Sequence, residues 1–256
     1  MRSRTLLACA DGPVGKTLVE WMNTQFPGVL SLVVTTSQNN IFQYCEARGI
    51  AVEELGGRTI EEIVYSSLGT KVDTGLLLWW PNILRVSDID VSNQGFINTH
   101  PSLLPLHRGK NPNFWALKCG EPFGVSLHFL GSGIDDGDLI AQRQIFYDWT
   151  DNAETLYRRG QQEMVDLFKA TFHSILSGNP GRIKQSLETG NFHYAREMEE
   201  ASFLDLNSVR PVKDTLNLLR ARTFSGHPSC WFVDDQGEEY EVRVTIQKRS
   251  PLDRSS

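Results

Sequence analysis

The sequence predicts an α/β fold, in which helices cover both faces of a doubly wound, mostly parallel sheet, followed by a small C-terminal α+β subdomain. Short apolar, β-branched runs alternate with segments of helical spacing through the first half of the chain, and such runs are typical of strands buried on both faces. The alternating order of strands and helices predicts crossover connections and therefore parallel strands. The end of the chain departs from this order, which indicates a separate subdomain.

Four strands are predicted in the first hundred residues, at 5–10, 29–37, 74–81 and 95–100. Amphipathic helices are predicted between them, at 15–26, 40–49 and 59–69. Ligands of open α/β sheets bind at the carboxyl ends of the strands. The polar residues that end the fourth strand therefore mark a candidate site.

The second half predicts a helix at 112–119, strands at 124–131 and 138–147, and a long amphipathic helix at 152–176. The "SGNP" stretch that follows breaks the helical pattern and ends the main domain. Beyond it, a helix at 212–224 and two alternating strands within 230–247 form the subdomain. We therefore predict a main domain at 1–184 and a small subdomain at 185–256.

Bulk composition limits the classes of function. The chain has 256 residues, of which 40% are hydrophobic and 22% charged, and its formal net charge is −6. This acidic balance argues against a nucleic-acid surface, and four scattered cysteines favour reduced thiols over a disulfide framework or a zinc site. The N-terminal apolar run is shorter than a signal peptide requires, and no stretch is long enough to span a membrane. We therefore expect a cytoplasmic protein with no membrane or nucleic-acid partner.

The stretch "ADGPVGKT" at 10–17 fits a loose phosphate-loop pattern between a strand and a helix. Pro13 has no N–H to offer to a phosphate, and no later strand ends in the aspartate that would hold Mg²⁺. A tight strand-to-helix turn is therefore the favoured interpretation. A nucleotide-binding protein that uses Gly12–Thr17 remains an alternative hypothesis from a different class.

The stretch "FINTHPSLLPLHRG" at 96–109 concentrates polar chemistry at a strand end. Asn98 and His100 alternate, so on an extended chain both side chains point to the same face of the sheet. An amide donor beside an imidazole suits the stabilisation of an oxyanion. No good nucleophile lies nearby, and one histidine with one asparagine is too small a set for zinc. The pattern favours acyl transfer without a covalent enzyme intermediate.

The stretch "GSGIDDGD" at 131–138 holds three aspartates between glycines. By itself this is typical of a solvated hairpin loop, and the ligand spacing of a calcium loop is absent. Its combination with His100 changes that interpretation. A carboxylate against a histidine sets its tautomer, raises its pKa and can accept a proton from an attacking amine.

Together, "FINTHPSLLPLHRG" and "GVSLHFLGSGIDDGDLIAQ" (124–142) resemble the folate-dependent formyltransferases, which include the glycinamide ribonucleotide, methionyl-tRNA and nucleotide-sugar enzymes. The resemblance covers roughly residues 1–176. It implies a Rossmann-like fold, 10-formyltetrahydrofolate as co-substrate and no metal. By motif, Asn98, His100 and Asp135 match the catalytic residues of the family, whose Asp-x-Gly pattern selects Asp135 over Asp136.

The resemblance also implies ligand contacts. The expected folate contacts are Trp80, Ile83, Leu84, Ser102, Leu103, Leu104, Pro105 and Asp138. The expected contacts of the sugar nucleotide are Gly12, Arg108, Lys110, Asn111 and Arg222. A place for Trp80 in the apolar core is an equally open interpretation, and a solvated surface position is the usual state of a lysine or an arginine.

The implied reaction is the attack of an unprotonated primary amine on the formyl carbon, through a tetrahedral intermediate. Asn98 and His100 donate hydrogen bonds to the oxyanion in this scheme, and Asp135 assists the transfer of the amine proton. Loss of one such donor typically lowers the rate by ~10²–10³.

The expected acceptor is a nucleotide-linked amino-dideoxy sugar, dTDP-, GDP- or UDP-linked with its amine at carbon 3 or 4, as in the synthesis of bacterial surface polysaccharides such as lipopolysaccharide O-antigen. The tail is longer than a purine-pathway formyltransferase needs. Its acidic stretches do not suit a methionyl-tRNA formyltransferase, which remains the alternative within the family. The intact Asn-His-Asp set argues against a relative that only binds. The strands and the "LNLLRA" helix of the tail are compatible with a homodimer face or with closing the core.

Overall fold

The computed structural model describes residues 4–249. The strands are β1 (Leu6–Ala10), β2 (Leu30–Thr35), β3 (Val52–Glu54), β4 (Thr74–Leu78), β5 (Phe96–His100), β6 (Arg108–Gly109), β7 (Phe123–Phe129), β8 (Leu139–Ile145), β9 (Phe192–His193), β10 (Cys230–Val233) and β11 (Glu239–Val242). The helices are α1 (Gly12–Gln25), α2 (Asn40–Ala47), α3 (Ile60–Leu68), α4 (Val86–Ile89), α5 (Pro112–Cys119), α6 (Ala153–Ser177), α7 (Ala195–Ser202) and α8 (Val212–Ala221), with a 3₁₀ helix at Leu187–Thr189.

Seven strands form one sheet in the order β3-β2-β1-β4-β5-β7-β8. The first five strands pair in parallel, and β7 pairs antiparallel to β5. This arrangement confirms the predicted doubly wound, mostly parallel α/β fold. The chain order reverses between the adjacent strands β1 and β4, and ligands of such sheets bind at the carboxyl ends of strands near this reversal.

The described chain divides into two compact units that interleave along the sequence. The first contains the described residues through His100 with Ser126–Gln142 and Gln161–Gln185. The second contains Pro101–Val125, Arg143–Gly160 and the described residues from Ser186 onward. The linear division into 1–184 and 185–256 stays a prediction.

The core of the first unit explains why its helices form where they do. Helix α3 begins with a capping box, in which the Thr59 side chain accepts from the Glu62 backbone N–H and the Glu62 carboxylate accepts from the Thr59 N–H. One face of α3 buries Ile60, Ile63 and Val64 against β1, β2 and β4. Burying each such side chain contributes roughly 1.5–3 kcal/mol, so packing against the sheet, more than helix propensity, stabilises this nine-residue helix.

Several short elements were not predicted from the sequence. They are the strands β3, β6 and β9 and the helices α4 and α7. Strands of two or three residues show no hydrophobic period, because a period needs several repeats to be visible. They exist because neighbours supply their hydrogen bonds, as when β6 and β9 pair through Arg108 with Phe192.

Among residues 4–249, no helix is both long enough and apolar enough to cross a bilayer.

Candidate active site

The carboxyl end of β5 presents the two side chains that the sequence predicted to lie on one face. Between them, Thr99 points to the opposite face, where its hydroxyl donates to the Leu77 carbonyl at 2.9 Å and accepts from the Trp79 N–H at 2.9 Å. The strand is thereby tied to the end of β4. Asn98 and His100 are held on the other face by the regular alternation of the strand.

The neighbouring strand β7 supplies a histidine that the sequence analysis did not single out. In the antiparallel register, Asn98 lies opposite His128 and His100 lies opposite Ser126. His128 is fully buried. Residues directly opposite each other on adjacent strands have touching side chains, and the Asn98 Nδ2 to His128 Nε2 distance is 3.2 Å.

Hydrogen bonding fixes the form of His128. Its Nδ1 lies 2.8 Å from the Phe129 carbonyl, which can only accept, so Nδ1 carries a hydrogen. In the neutral ring Nε2 is then an acceptor, and it accepts from the Asn98 carboxamide. His128 therefore sets the orientation of that amide. A lone histidine in an apolar strand most often belongs to the core, and only the strand pairing identifies this one.

The loop between β7 and β8 brings the predicted carboxylate to these residues. Asp135 Oδ2 lies 3.5 Å from His100 Nδ1, and Asp135 Oδ1 accepts from Asn98 Nδ2 at 3.3 Å. Oδ1 also lies 3.5 Å from His128 Nε2, a contact that becomes an ion pair only when His128 is protonated. The carboxylate therefore stands among three polar side chains of two strands.

The second candidate aspartate has a different place. The Asp136 carboxylate turns back into its own loop and accepts from the Gly133 N–H at 2.9 Å. A side chain at Gly131 or Gly133 would overlap this carboxylate. Asp136 therefore anchors the loop, while Asp135 faces the histidine.

The Asp-x-Gly pattern has a steric reason. A Cβ at Gly137 would overlap the carbonyl oxygen of Phe129. Only glycine lets the chain return this closely to β7. Asp135 itself has a φ of 49°, in the left-handed region that a non-glycine residue rarely adopts. The sharp backbone turn that aims Asp135 thus depends on a glycine two residues later.

The predicted folate contacts Trp80, Ile83 and Leu84 follow β4 in the first unit. Trp80 and Leu84 are half-buried and pack against the apolar cluster of the core, which favours the core interpretation for part of their surface. The indole Nε1 of Trp80 is buried and has no hydrogen-bond partner among the described residues. Ile83 is 82% exposed. Asp138 lies 3.6 Å from a guanidinium nitrogen of Arg182.

The remaining predicted folate contacts lie in the second unit. Ser102 and Leu104 are buried, whereas Leu103 and Pro105 are half-buried. Burial favours a packing role for the first two side chains. All four folate assignments stay predictions.

The predicted sugar-nucleotide contacts differ in their exposure and in their hydrogen-bond partners. Lys110 is exposed and Asn111 adopts a left-handed backbone just before α5. The Arg108 Nε is buried and has no hydrogen-bond partner among the described residues. Arg222 is buried and donates to Glu199 at 2.7 Å. That pairing is typical of a structural cation, so the structure does not favour a nucleotide contact for Arg222.

The phosphate-loop alternative is wrong, because residues 12–17 form the start of a helix and not a loop. Helix α1 already begins at Gly12, and the Asp11 side chain caps it by accepting from the Gly12 N–H at 2.6 Å. Pro13 and Gly15 therefore lie in the first turn of a helix rather than in an open loop. Lys16 lies 3.8 Å from Glu20. The favoured strand-to-helix turn is what the structure contains, and Gly12 remains a predicted ligand contact only as part of this turn.

A group of stacked rings in the second unit was also missed. His193 stacks on Trp115 with ring centroids 3.8 Å apart, and His107 lies beyond it at 5.8 Å. Burial, and next the neighbouring His193, lowers the pKa of His107 to about 4. The Glu121 carboxylate is 3.0 Å from His107 Nε2, but its side chain is 39% exposed and well solvated. The ring is therefore neutral at pH 7.

Within the described part of the chain, no group of three or more histidine, cysteine, aspartate or glutamate side chains is arranged to hold a metal ion. The site described above places a carboxamide and an imidazole on one face of the sheet, with the Asp135 carboxylate 3.5 Å from the imidazole Nδ1.

Comparison with known proteins identifies the class. The family model described as formyl transferase matches residues 23–171, more than half of the chain, and the model for the N-formyltransferase dimerization C-terminal domain matches residues 197–248. The chain belongs to the formyl transferase family and is a formyltransferase.

Three relatives show how far the similarity extends. The dTDP-4-amino-4,6-dideoxyglucose formyltransferase of Mycobacterium tuberculosis is 30% identical over 157 residues, which are 61% of this chain and 67% of that protein. A 4-N formyltransferase from Francisella tularensis superposes with a TM-score of 0.81 at 20% identity, over 97% of this chain and 100% of that one. An N-formyltransferase from Helicobacter canadensis in complex with folinic acid and dTDP-3-aminofucose superposes with a TM-score of 0.71 at 18% identity, over 91% and 84%. At these identities the two solved structures show a shared fold.

Proposed function

We propose that the protein transfers a formyl group from 10-formyltetrahydrofolate to the primary amine of a nucleotide-linked amino-dideoxy sugar. The observation that carries this proposal is the meeting of Asn98, His100 and Asp135 at the carboxyl end of β5, where the Asp135 carboxylate lies 3.3 Å from Asn98 Nδ2 and 3.5 Å from His100 Nδ1. This set matches what acyl transfer to an amine requires: two oxyanion donors and one proton acceptor.

The folate supplies an activated formyl group, and the chain supplies the electrostatics. Asn98 and His100 donate hydrogen bonds to the oxygen that becomes negative as the amine attacks. Asp135 stabilises positive charge on His100 from 3.5 Å away and accepts the proton that the amine loses, directly or through a water. Negative charge on the reacting oxygen and positive charge on the imidazole thus rise together.

Asn98 must change partners during the reaction. Its two carboxamide hydrogens point to His128 Nε2 at 3.2 Å and to Asp135 Oδ1 at 3.3 Å. The second contact is the longer, and catalytic hydrogen bonds are often loose before substrate binds. We infer that the formyl oxygen takes the place of Asp135 on this amide, while His128 keeps the other hydrogen and the orientation.

The acceptor class is supported by the relatives. The Mycobacterium tuberculosis relative acts on a dTDP-linked 4-amino sugar, and the Helicobacter canadensis structure holds a dTDP-linked 3-amino sugar with a folate. A dTDP-linked sugar is therefore the first acceptor to test. A formylated nucleotide sugar is an activated glycosyl donor, so we place the product before a glycosyl transfer into a surface polysaccharide, in the cytoplasm.

The test is release of tetrahydrofolate from 10-formyltetrahydrofolate with a panel of dTDP-, UDP- and GDP-linked 3-amino and 4-amino sugars. Wild type and His100→Ala are compared, with the exposed His173→Ala as a matched histidine control. Release that depends on one sugar, is lost in His100→Ala and is retained in His173→Ala supports the proposal. Release without any sugar indicates a hydrolase. Transfer to methionyl-tRNA alone overturns the acceptor and leaves the catalytic chemistry standing.

We also propose that the protein is a homodimer. The dimerization-domain match at 197–248 supports this, as do apolar side chains exposed within one segment of it. They are Phe203, Leu206, Val209 and Val212. Light scattering should give twice the 28.9 kDa chain mass. Leu206→Asp with Val209→Asp should lower that mass, whereas Val86→Asp, at an exposed position in the other unit, should not. A monomeric wild type would contradict the proposal.

A further inference from the structure

The side chain of Gln185 lies against the loop that carries Asp135. Its Nε2 donates to the Asp135 carbonyl at 3.0 Å and to the Gly137 carbonyl at 2.5 Å. Carbonyl oxygens only accept, so the NH₂ end of the carboxamide must face them. Both hydrogens of one side chain thus hold the two backbone groups on either side of Asp136.

The other end of this carboxamide shows that the donors are the reason for the residue. Gln185 Oε1 is buried and has no hydrogen-bond partner among the described residues. A buried acceptor without a partner is unfavourable, because it has given up its hydrogen bonds to water. An apolar side chain would fill the same space without that cost. The contacts that favour glutamine at this position are therefore the two hydrogen bonds that its Nε2 donates.

The segment around Gln185, residues 181–185, is itself fastened to the same loop. Ile183 and Leu139 exchange two backbone hydrogen bonds, both of 2.8 Å. The Arg182 guanidinium lies 3.5 Å above the Phe129 ring and 3.6 Å from Asp138. The 181–185 segment therefore approaches the loop from a fixed direction, which gives Gln185 a rigid base.

The loop needs such an anchor because its function depends on small distances. Asp135 holds a left-handed backbone, which is strained for a non-glycine residue. Its contacts to His100 and Asn98, at 3.5 and 3.3 Å, are already at the long end of hydrogen bonding. A shift of the loop by less than 1 Å away from β5 would break them, and misplacement by ~1 Å can cost ~10²-fold in rate.

We propose that Gln185 is a positioning residue for catalysis, which holds the backbone of Asp135 so that its carboxylate reaches His100 Nδ1. This inference rests on the proposed function of Asp135. Besides His100, the titratable group that faces the carboxylate is His128 of β7, at 3.5 Å from Oδ1. The charged groups of the elements packed around it are Asp136, which binds the Gly133 N–H, and Asp138, which lies 3.6 Å from Arg182 of the 181–185 segment.

Formyl transfer by two variants tests the proposal. Gln185→Leu keeps the approximate shape and removes both donors, so kcat should fall by about 10–100-fold while KM for either substrate changes less than about threefold. Gln185→Lys restores N–H donors to the two carbonyls and should recover kcat to within about fivefold of wild type. Ile183→Ala, in the same segment with an exposed side chain, is the matched control and should behave as wild type.

A second measurement needs no substrate. The pH at which the His100 ring titrates is followed by NMR in wild type, Asp135→Asn, Gln185→Leu and Ile183→Ala. Asp135→Asn removes a negative charge beside the ring, so His100 should titrate at lower pH. Gln185→Leu should shift it in the same direction by a smaller amount, and Ile183→Ala should leave it unchanged.

The outcomes distinguish a failure of the positioning role of Gln185 from a failure of the proposed function. If Gln185→Leu leaves both kcat and the His100 titration unchanged, or if Leu and Lys impair kcat equally, Gln185 only fills space and the proposal is overturned. If the His100 titration shifts as expected but wild type transfers formyl to no acceptor, the positioning role stands and the proposed function fails. If Gln185→Leu does not fold, the comparison of wild type with Gln185→Lys and Gln185→Asn replaces it: the shorter Asn cannot reach both carbonyls and should be the worse of the two.

Discussion

At the scale of single residues, the site is a small network in which each polar group limits its neighbours. In its neutral form His128 accepts at Nε2, because Nδ1 donates its hydrogen to a carbonyl. Asn98 must therefore turn its NH₂ group inward, and one of its hydrogens is left for Asp135 or for substrate. Networks of this kind are worth more than the sum of their pairs, so the loss of Asn98 affects every member.

Asn98→Ala should lower kcat by ~10²–10³, because one oxyanion donor is lost, and should change KM for the nucleotide sugar much less. Single-turnover formyl transfer measures the chemical step directly. Asn93→Ala, an exposed asparagine, is the control. A loss below about tenfold would show that Asn98 contributes to structure and not to oxyanion stabilisation.

His107 should make stability depend on pH. Burial lowers its pKa to about 4 in the folded chain, against ~6.5 when unfolded. Because the folded pKa is the lower, the unfolded chain binds the proton first as pH falls. The free energy of unfolding should therefore fall by roughly 3 kcal/mol between pH 6.5 and 4 from this group alone.

The measurement is urea unfolding of wild type and His107→Gln at several pH values. Glutamine does not titrate, so the stability of wild type relative to the variant should decrease steadily as pH falls below 6.5. His173→Gln, at an exposed position, should run parallel to wild type. A wild-type to His107→Gln difference that stays constant down to pH 4 would contradict the assignment.

At the scale of elements, Asp135 is held within one short stretch of chain, which consists of the end of β7, the loop and the start of β8. Gly137 permits the close return to Phe129, Asp136 closes the loop on Gly133, and Gln185 holds the backbone from outside. These three contacts fix the backbone on both sides of Asp135, so the direction of its carboxylate depends on the path of the loop. Substitutions in this stretch should therefore affect catalysis by changing the position of the Asp135 carboxylate.

Gly137→Ala should lower both the stability and kcat, since the new Cβ overlaps the Phe129 carbonyl and the loop must shift. Gly160→Ala is the matched control within helix α6. Its Cβ would meet Phe123 at an ordinary 3.5 Å, and alanine in a helix is favoured over glycine by roughly 0.8–1 kcal/mol. Thermal unfolding and formyl transfer are measured on both; equal behaviour of the two variants would show that the close approach at Gly137 is not required.

At the scale of the whole molecule, the cysteines report on the integrity of both units. Cys9 and Cys45 are buried in the first unit and Cys230 in the second, whereas Cys119 is exposed. Burial raises the pKa of the Cys45 thiol to about 11 and that of Cys230 to about 12, and it raises that of Cys9 further. Thiols that are buried and protonated react slowly.

A thiol reagent at pH 8 should therefore label one cysteine in the native protein and four after denaturation. Cys119→Ser should remove the native labelling. Fast reaction of a second thiol in the native state would show that one of the two cores opens readily. The same labelling assay can be run before and after substrates are added.

The sequence predicted different shares of the fold and of the candidate site. The main strands and helices were predicted within a few residues, because alternation and helical spacing are local properties. Short elements such as β3 and α7 were missed, since they are held by neighbours and show no pattern of their own. In the site, Asn98, His100 and Asp135 were predicted, whereas His128 looked like an ordinary core residue.

The sequence by itself determined the order of the main strands and helices, the common face of Asn98 and His100, and the formyltransferase resemblance, because each is carried by residues close together in the chain. The tertiary structure alone decided that Asp136 anchors the loop, that His128 orients Asn98 from 30 residues away and that Gln185 holds Asp135 from 50 residues away. Those contacts follow from strand pairing, register and the return of the chain after α6. Such long-range geometry leaves no local pattern, so the residues that support the proposed catalytic set become visible only in the folded chain.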